Sequence, residues 1–512
     1  MQECGKFAAG AALTSLLVLA GCMVGPNYKR PPAVTPPAFK EQPPENFKEA
    51  EAAGWKQSQP GDAFSKGRWW EVYNDPALNA LEDQVSISNQ NVVAAEAQYR
   101  QAKAAVSVAR AALFPTLTGS AGITVGGSGS GGFTPTGAGS GFTPTGTSGN
   151  SASSGGSSVH TIYNLPFNVA WEPDLWGNIR RGVSANAATA QSLAAQVANA
   201  KLLYQAELAQ DYFGLHGLDG EADLLTHTQA SYEEYLTLTR NRFNAGIASD
   251  LDVAQAETQL YQVQSQLVDL GVQRAAFEHA IAILIGKPPA ELTIPAQTLN
   301  TPPPPVPVGL PSELLERRPD IASSERQVAA ANEQIGIAMA AFYPALTLTG
   351  GAGLQSTSLA KWFTWPSRFW SVGPQLAETL FDAGRRHGLV AEERAAYDAT
   401  VANYRQTALT AMQQVEDNLA ALRILEAEAD KVEETIGAAD RALDVSTAQY
   451  KAGTASYLTV ITSQAAVLGA EVTGVTLLTR RLTASVLLIE ALGGGWNDSE
   501  LPSKRDVMAR QP

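Results

Sequence analysis

The sequence predicts a mainly α fold with a small β part, built as two structural repeats of long coiled-coil helices with a strand pair in each. Three observations carry this. No proline lies between Pro173 and Pro288 or between Pro374 and Pro502, although proline is frequent elsewhere. Motifs of the first half return in the same order in the second. Between the helical blocks of each half stand short runs in which apolar and polar residues alternate.

The bulk numbers bound the reading. The chain has 512 residues, too many for one ordinary core, so several layers or one elongated body are expected. At 45% hydrophobic residues it is not a generally disordered chain. A formal net charge of −14, with no Lys/Arg-rich run, argues against nucleic acid, because phosphate binding needs a concentrated basic surface.

The N-terminus reads as a signal peptide over residues 1–21. Lys6 precedes the short apolar stretch Phe7 to Leu19, too short for a membrane span. Leu19-Ala20-Gly21-Cys22 then matches a bacterial lipobox, which makes Cys22 the acylated first residue of the mature chain. Met23 follows instead of an aspartate, so outer-membrane sorting is expected. Cys4 and Cys22 are the only cysteines, and cleavage removes Cys4, so Cys22 is an anchor site rather than half of a disulfide. Residues 22–66 are Pro-rich and polar and read as an extended, lipid-anchored tether.

Helices come next. Proline costs about 3 kcal/mol inside a helix, so the two proline-free blocks are where long helices live. Leu260, Val263, Leu267, Leu270, Arg274, Phe277, Ile281 and Leu284 follow one another at alternating spacings of three and four, a coiled-coil seam interrupted only by Arg274. Ala188 to Arg242 and Arg394 to Lys451 are helical in composition, and helices of that order would reach roughly 90 Å. Gly214, Gly217 and Gly220 weaken the first, so a break or bend is expected there.

The repeats are read from motif pairs. Ala111-Ala112-Leu113-Phe114-Pro115 matches Ala340-Ala341-Phe342-Tyr343-Pro344. Leu175-Trp176 aligns with Leu380-Phe381, and Ala245-Gly246-Ile247-Ala248-Ser249 with Ala452-Gly453-Thr454-Ala455-Ser456. Gly286 then pairs with Gly493 and Arg274 with Arg481. Repeat one is assigned to residues 67–287, a linker to 288–312, repeat two to 313–495 and a tail to 496–512.

Strands are expected at about 115–125 and 159–171 in repeat one, and at about 344–354 and 369–377 in repeat two. Leu117, Ile123 and Val125 alternate with Thr118 and Thr124, and Leu346 and Leu348 with Thr347 and Thr349. The last strand is the weakest, because Pro374 lies in it. Alternation of this kind suits a barrel strand with one lipid face and one wet face, and equally a soluble half-buried hairpin. Four strands cannot close a membrane barrel, and an open edge in lipid is not viable, so a barrel demands oligomerisation, as dimer or trimer. The Gly/Ser-rich segment 126–158, which repeats Phe-Thr-Pro-Thr-Gly, reads as a flexible surface loop. Trp362, Phe363 and Trp365 at the second tip suit a membrane interface.

Two helical hairpins turn near Gly246 and Gly453, glycines placed as C-terminal caps. Asp250 and Asp252 begin the return helix of repeat one. They read either as a capping set with Ser249 as N-cap, or as carboxylates around a pore. Arg274 and Arg481 either pair with acids of a neighbouring helix or snorkel. Arg317, Arg318 and Asp320 read as orienting a helix start with Pro319 first. No catalytic or metal site is expected: the five histidines are scattered, and no His-Glu-x-x-His, P-loop or serine elbow occurs.

Together these residues resemble the TolC-type outer-membrane efflux channels, in the NodT-like lipoprotein branch. The resemblance rests on Cys22 with Gly25-Pro26-Asn27-Tyr28-Lys29-Arg30-Pro31, Trp69-Trp70 with Asp75-Pro76, Asp174-Leu175-Trp176-Gly177, and Glu316-Arg317-Arg318-Pro319-Asp320-Ile321. It implies a homotrimer with a 12-stranded outer-membrane barrel and a 12-helix periplasmic tunnel, passive, with a periplasmic adaptor and an inner-membrane pump of the resistance-nodulation-division type as partners. It makes Ala245, Gly246, Ala452 and Gly453 the adaptor-docking tip, and Asp250 and Asp252 candidate gate residues. Related channels often carry an aspartate at the position of Thr462, which is absent here. Tyr457 and Leu458 are then expected as an apolar plug. No cofactor is implied beyond lipid on Cys22. The rival reading is a periplasmic coiled-coil structural or adaptor lipoprotein without a barrel.

Overall fold

The computed structural model describes residues 23–33, 35–41, 68–128, 158–299, 301–306 and 311–509. Cys22, the signal peptide and most of the 126–158 loop lie outside the described residues. The chain divides into two compact units, one of residues 1–26, 107–183 and 334–393, the other of 27–106, 184–333 and 394–512.

The helices repeat in length as well as in motif. In repeat one they are α1 (Pro76–Ser88), α2 (Gln90–Ala111), α3 (Asn178–Asn244) and α4 (Asp250–Leu284). In repeat two a four-residue helix, Leu314–Arg317, precedes the long helices α5 (Pro319–Ala340), α6 (Arg385–Lys451) and α7 (Tyr457–Ala491). α2 and α5 have 22 residues each, α3 and α6 have 67 each, and α4 and α7 have 35 each. Equal lengths in equal order mean that both halves follow one backbone plan.

The first unit holds the sheet. Its strands are β1 (Thr116–Gly119), β2 (Gly122–Ser128), β3 (Ser158–Trp171), β4 (Ala345–Ser356) and β5 (Arg368–Ala377). The antiparallel order is β1-β3-β4-β5, with β2 also on β3. The single strand expected at 115–125 is therefore two. The cause is Pro166 in β3: Gly119 pairs with Phe167 and Gly122 with Asn164, so the gap at 120–121 faces a residue with no N–H to give. β5 is a regular strand despite Pro374, paired with β4 from Arg368 to Ala377.

The second unit holds two apolar clusters. The larger gathers Trp69 and Trp70, α1, the 202–215 stretch of α3 and the ends of α4 and α7. The smaller lies among Leu225, Tyr232, Leu236, Leu260, Tyr450 and Tyr457. The predicted seam on α4 spans both: Leu260 and Val263 are buried in the smaller cluster, Ile281 and Leu284 in the larger. α3 runs without a break across Gly214, Gly217 and Gly220. Its glycines make room for neighbours instead: a Cβ at Gly217 would stand 2.3 Å from Thr479 Oγ1, and one at Gly214 would stand 2.8 Å from the Phe277 ring.

The motifs singled out in the sequence are junctions. Asp75 caps α1 by accepting from Ala77 N (2.8 Å) and Leu78 N (3.2 Å), and also accepts from Tyr212 Oη at 2.7 Å. Asn89 donates to Leu284 O at 2.9 Å, and Arg318 donates to Ala491 O at 2.9 Å while chelating Asp320. These two residues serve matching ends of α4 and α7. Of the segment read as an extended tether, residues 42–66 lie outside the described residues, and 27–33 and 35–41 are tied to the helices: Tyr28 donates to Glu325, Arg30 to Leu315 O, and Glu41 pairs with Arg423.

α7 is the one helix among the described residues long and apolar enough to cross a membrane. Its Val486, Leu488 and Ile489 are core residues of the second unit.

Candidate functional site

Two places are candidates for function: the sheet and the pair of hairpin turns. In the sheet the register sets every second residue on one face. Leu117, Val169, Gly350 and Val372 stand in one row, as do Gly119, Phe167, Ala352 and Trp370. Trp171, Leu348 and Pro374 make another, and Ile123, Val125, Leu165 and Leu354 share that face. The opposite face carries Thr116, Thr118, Asn164, Asn168, Thr347, Thr349, Gln355, Ser371 and Gln375. One face is apolar and the other polar. Leu117, Ile123, Val125, Trp370, Val372 and Leu376 are all exposed. An apolar face this continuous has no place in water.

At the β4–β5 tip, Trp362 lies against Tyr163 (5.6 Å between centroids) and Arg368 stacks on Trp365 (3.5 Å). Beyond β3, Val24 N donates to Trp176 O at 3.0 Å and Arg181 Nε to Val24 O at 2.5 Å. The residues next after Cys22 are thereby fixed close to the end of β3.

The hairpin turns have matching geometry. Gly246 adopts φ 75° and Gly453 φ 79°, the left-handed conformation that ends a helix. Ile247 N donates to Arg242 O (2.8 Å) and Gly246 N to Phe243 O (2.8 Å). Thr454 N donates to Gln449 O (2.9 Å) and Gly453 N to Tyr450 O (3.0 Å) in the second turn. Both are Schellman caps. Ala245 and Ala452 are exposed beside them.

The return helices differ. Asp252 is held in a capping box: Ser249 N donates to its Oδ2 at 2.8 Å, and Asp252 N donates to Ser249 Oγ at 3.3 Å. Its carboxylate is committed to the helix start, while Asp250 is exposed beside it. α7 begins without such a box, because Thr459 stands where repeat one has Asp252.

Tyr457 is not exposed for a plug. It is 2% accessible and lies 5.3 Å from the Tyr450 ring within the smaller core. Burial, then the neighbouring tyrosines, raises its phenol above the usual range, and burial pushes Tyr232 up to about 12. Only Leu458 of the expected pair is exposed, together with Leu251 and Ile247. Thr462 is exposed and donates to Thr459 O at 2.9 Å.

Sequence reasoning missed Arg242. Its Nη1 donates to Tyr450 O at 3.1 Å, and its guanidinium lies 4.6 Å from the Tyr450 ring centroid. A cation in the last turn of α3 thereby caps α6, joining the two hairpins. A basic residue four positions before a repeated turn glycine was the available signal.

Comparison with known proteins follows the same lines. The family described as "Outer membrane efflux protein" matches residues 81–287 and 310–494. The solvent efflux pump outer membrane protein SrpC of Pseudomonas putida is 30% identical over 489 residues, covering 95% of this chain and 98% of that protein. The pyoverdine export outer membrane protein OpmQ of Pseudomonas aeruginosa is 30% identical over 453 residues, covering 88% and 91%. Among solved structures, the outer-membrane channel OprN superposes with a TM-score of 0.80 at 27% identity, over 93% of this chain and 100% of that one. The outer membrane protein VceC from Vibrio cholerae gives 0.75 at 25% identity, over 84% and 100%.

Proposed function

The chain belongs to the outer membrane efflux protein family, and from that premise we propose that it works as a homotrimeric, lipid-anchored channel-tunnel. It is the outer-membrane channel of an efflux system. The observation that carries the trimer is a sheet with one apolar face and two open edges, β1/β2 and β5. In lipid each unpaired backbone group costs several kcal/mol, so the edges must pair with other copies. With β1 and β2 counted as one strand, since both pair β3 in a single register, two copies would give about eight strands, whose interior side chains fill. Three give twelve and leave a lumen. A barrel-free coiled-coil lipoprotein would leave the apolar face unexplained.

The long helices α3, α4, α6 and α7 of three copies then make the twelve-helix wall in the periplasm. Ala245, Gly246, Ala452 and Gly453 form the tip that a periplasmic adaptor grips, since small exposed residues on rigid caps let another backbone come close. Asp250, Leu458 and Thr462 are the exposed members of the candidate gate. Asp252 shapes its helix start, and Tyr457 stiffens the turn from inside. The channel catalyses nothing and uses no cofactor. An inner-membrane pump of the resistance-nodulation-division type supplies energy and selects the exported drug or metabolite. The relatives' names speak of solvent efflux and of pyoverdine export, in keeping with a conduit that does not choose.

Acylation of Cys22 fits the docking of Met23 and Val24 near the end of β3, where lipid on the preceding residue reaches the inner leaflet of the outer membrane. The test is the native mass of the detergent-solubilised protein and of its Cys22→Ser variant. A mass near three chains in both supports the reading. A single-chain mass, with the variant released as a soluble periplasmic protein, defeats it.

A further inference from the structure

The two repeats make a contact whose counterpart is absent among the described residues. Trp176, just after β3, stacks on Tyr343 (4.8 Å, 28°) and donates Nε1 to Pro344 O at 2.8 Å, just ahead of β4. This is repeat one touching repeat two. Repeat two places Leu380-Phe381 at the matching point after β5, and they are 91% and 86% exposed. The repeat-one equivalent of Tyr343-Pro344 is Phe114-Pro115, ahead of β1, and Phe114 is 58% exposed. A loose turn does not explain this exposure. Asp382 holds Arg386 at 2.7 Å, as Asp174 holds Arg180 at 3.0 Å.

β1 and β5 are opposite edges of the sheet with two strands between them, roughly 14 Å apart across the ladder. The halves of the second contact therefore belong to different copies. We propose that Phe381 of one copy packs on Phe114-Pro115 of the next, repeating Trp176 on Tyr343-Pro344 across the subunit boundary. β5 then pairs antiparallel with β1/β2 of that neighbour. This rests on the ring assembly argued above and assigns its boundary.

Two features support it. Leu117, Ile123 and Val125 on one edge and Trp370, Val372 and Leu376 on the other lie on the same apolar face. Pairing of these edges continues that face only in a register of the same parity, since a one-residue slip would turn every side chain over. The chemistry also matches. Phe381 lacks the indole N–H of Trp176 and Phe114 lacks the hydroxyl of Tyr343, so the boundary version is purely apolar and needs no hydrogen bond made before assembly.

The test is a double variant, Phe114→Cys with Phe381→Cys, oxidised in isolated outer membranes and run without reductant. Each single variant serves as the blank. The cis control is Trp176→Cys with Tyr343→Cys. A ladder ending at three chains and holding more than half of the protein is expected for the trans pair, with single-chain mass kept in the cis control. Should the native mass be three chains and the cis control oxidise while the trans pair stays at one chain, the contact is wrong and the ring stands. A trans product with a different protein also overturns it. A native mass of one chain removes the ring and the contact together. Ile123→Cys with Val372→Cys repeats the test on the strands if the aromatic pair proves necessary for folding.

Discussion

Arg274 Nε donates to Asp219 Oδ1 at 2.6 Å, joining α4 to α3 through a carboxylate whose side chain is 3% exposed. Asp219 also accepts from Gln297 N (3.1 Å) and shares a hydrogen bond with His216 (2.9 Å). Arg274 reaches on to Ile294 O at 2.8 Å, so one ion pair fixes both helix register and the segment after α4. Its repeat-two counterpart, Arg481, comes only to 3.9 Å from Glu426.

Arg274→Met is therefore expected to cost about 3 kcal/mol, because it leaves a buried carboxylate without its guanidinium and with only two hydrogen bonds to hold it. Arg481→Met should cost under about 1 kcal/mol, as for a partly exposed pair. Denaturant midpoints of the two variants check this, and equal losses would show that the seams are held alike.

Gly217→Ala should destabilise the protein by about 1–3 kcal/mol through overpacking against Thr479. Thr479→Ala in the same chain should restore much of the loss, giving a coupling energy that a double-mutant cycle reads directly. Additive effects would mean that the helices accommodate the methyl elsewhere.

Arg242→Ala removes the donor on Tyr450 O and the cation on its ring. Faster amide hydrogen exchange is expected in both hairpin turns, 242–251 and 449–458, with the sheet unchanged. A change confined to 242–251 would show that Arg242 does not couple them.

Burial, offset in part by Arg318, pushes the Glu490 carboxyl up to about 7, and burial with Glu207 pushes Asp211 up to about 6. The folded state then keeps protons that the unfolded chain releases near pH 4. This contribution is fully present below the unfolded values and is lost as pH rises through about 6 to 7. The thermal midpoint should fall between about pH 5 and pH 8, and Glu490→Gln should flatten that fall. An unchanged slope in the variant would remove Glu490 as its source.

Much of this was legible in the sequence because it depends on periodicity. The seam from Leu260 to Leu284, the turn glycines and the alternation around Thr347 are local patterns, and local patterns fix local structure. What stayed hidden depends on partners far along the chain. Gly217 reads as a weak point until Thr479 is beside it. The gap between β1 and β2 is written in Pro166, on the facing strand. Tyr457 looks available for a plug until Tyr450 and Tyr232 close round it. Polar, proline-rich composition gave no sign that Tyr28 and Glu41 have partners more than 290 residues later.

That last arrangement orders the assembly of the chain in time. Tyr28 finds Glu325 across 297 residues, Lys40 N finds Glu416 across 376 and Arg423 finds Glu41 across 382. Contacts of such separation form late, since the entropy of closing so large a loop is recovered only once the intervening elements are in place. The segment synthesised first is thereby expected to seat last, over helices already formed. A chain truncated before Glu416 would lack the partners of Lys40 N and Glu41, and that part of the segment would have nothing to seat on.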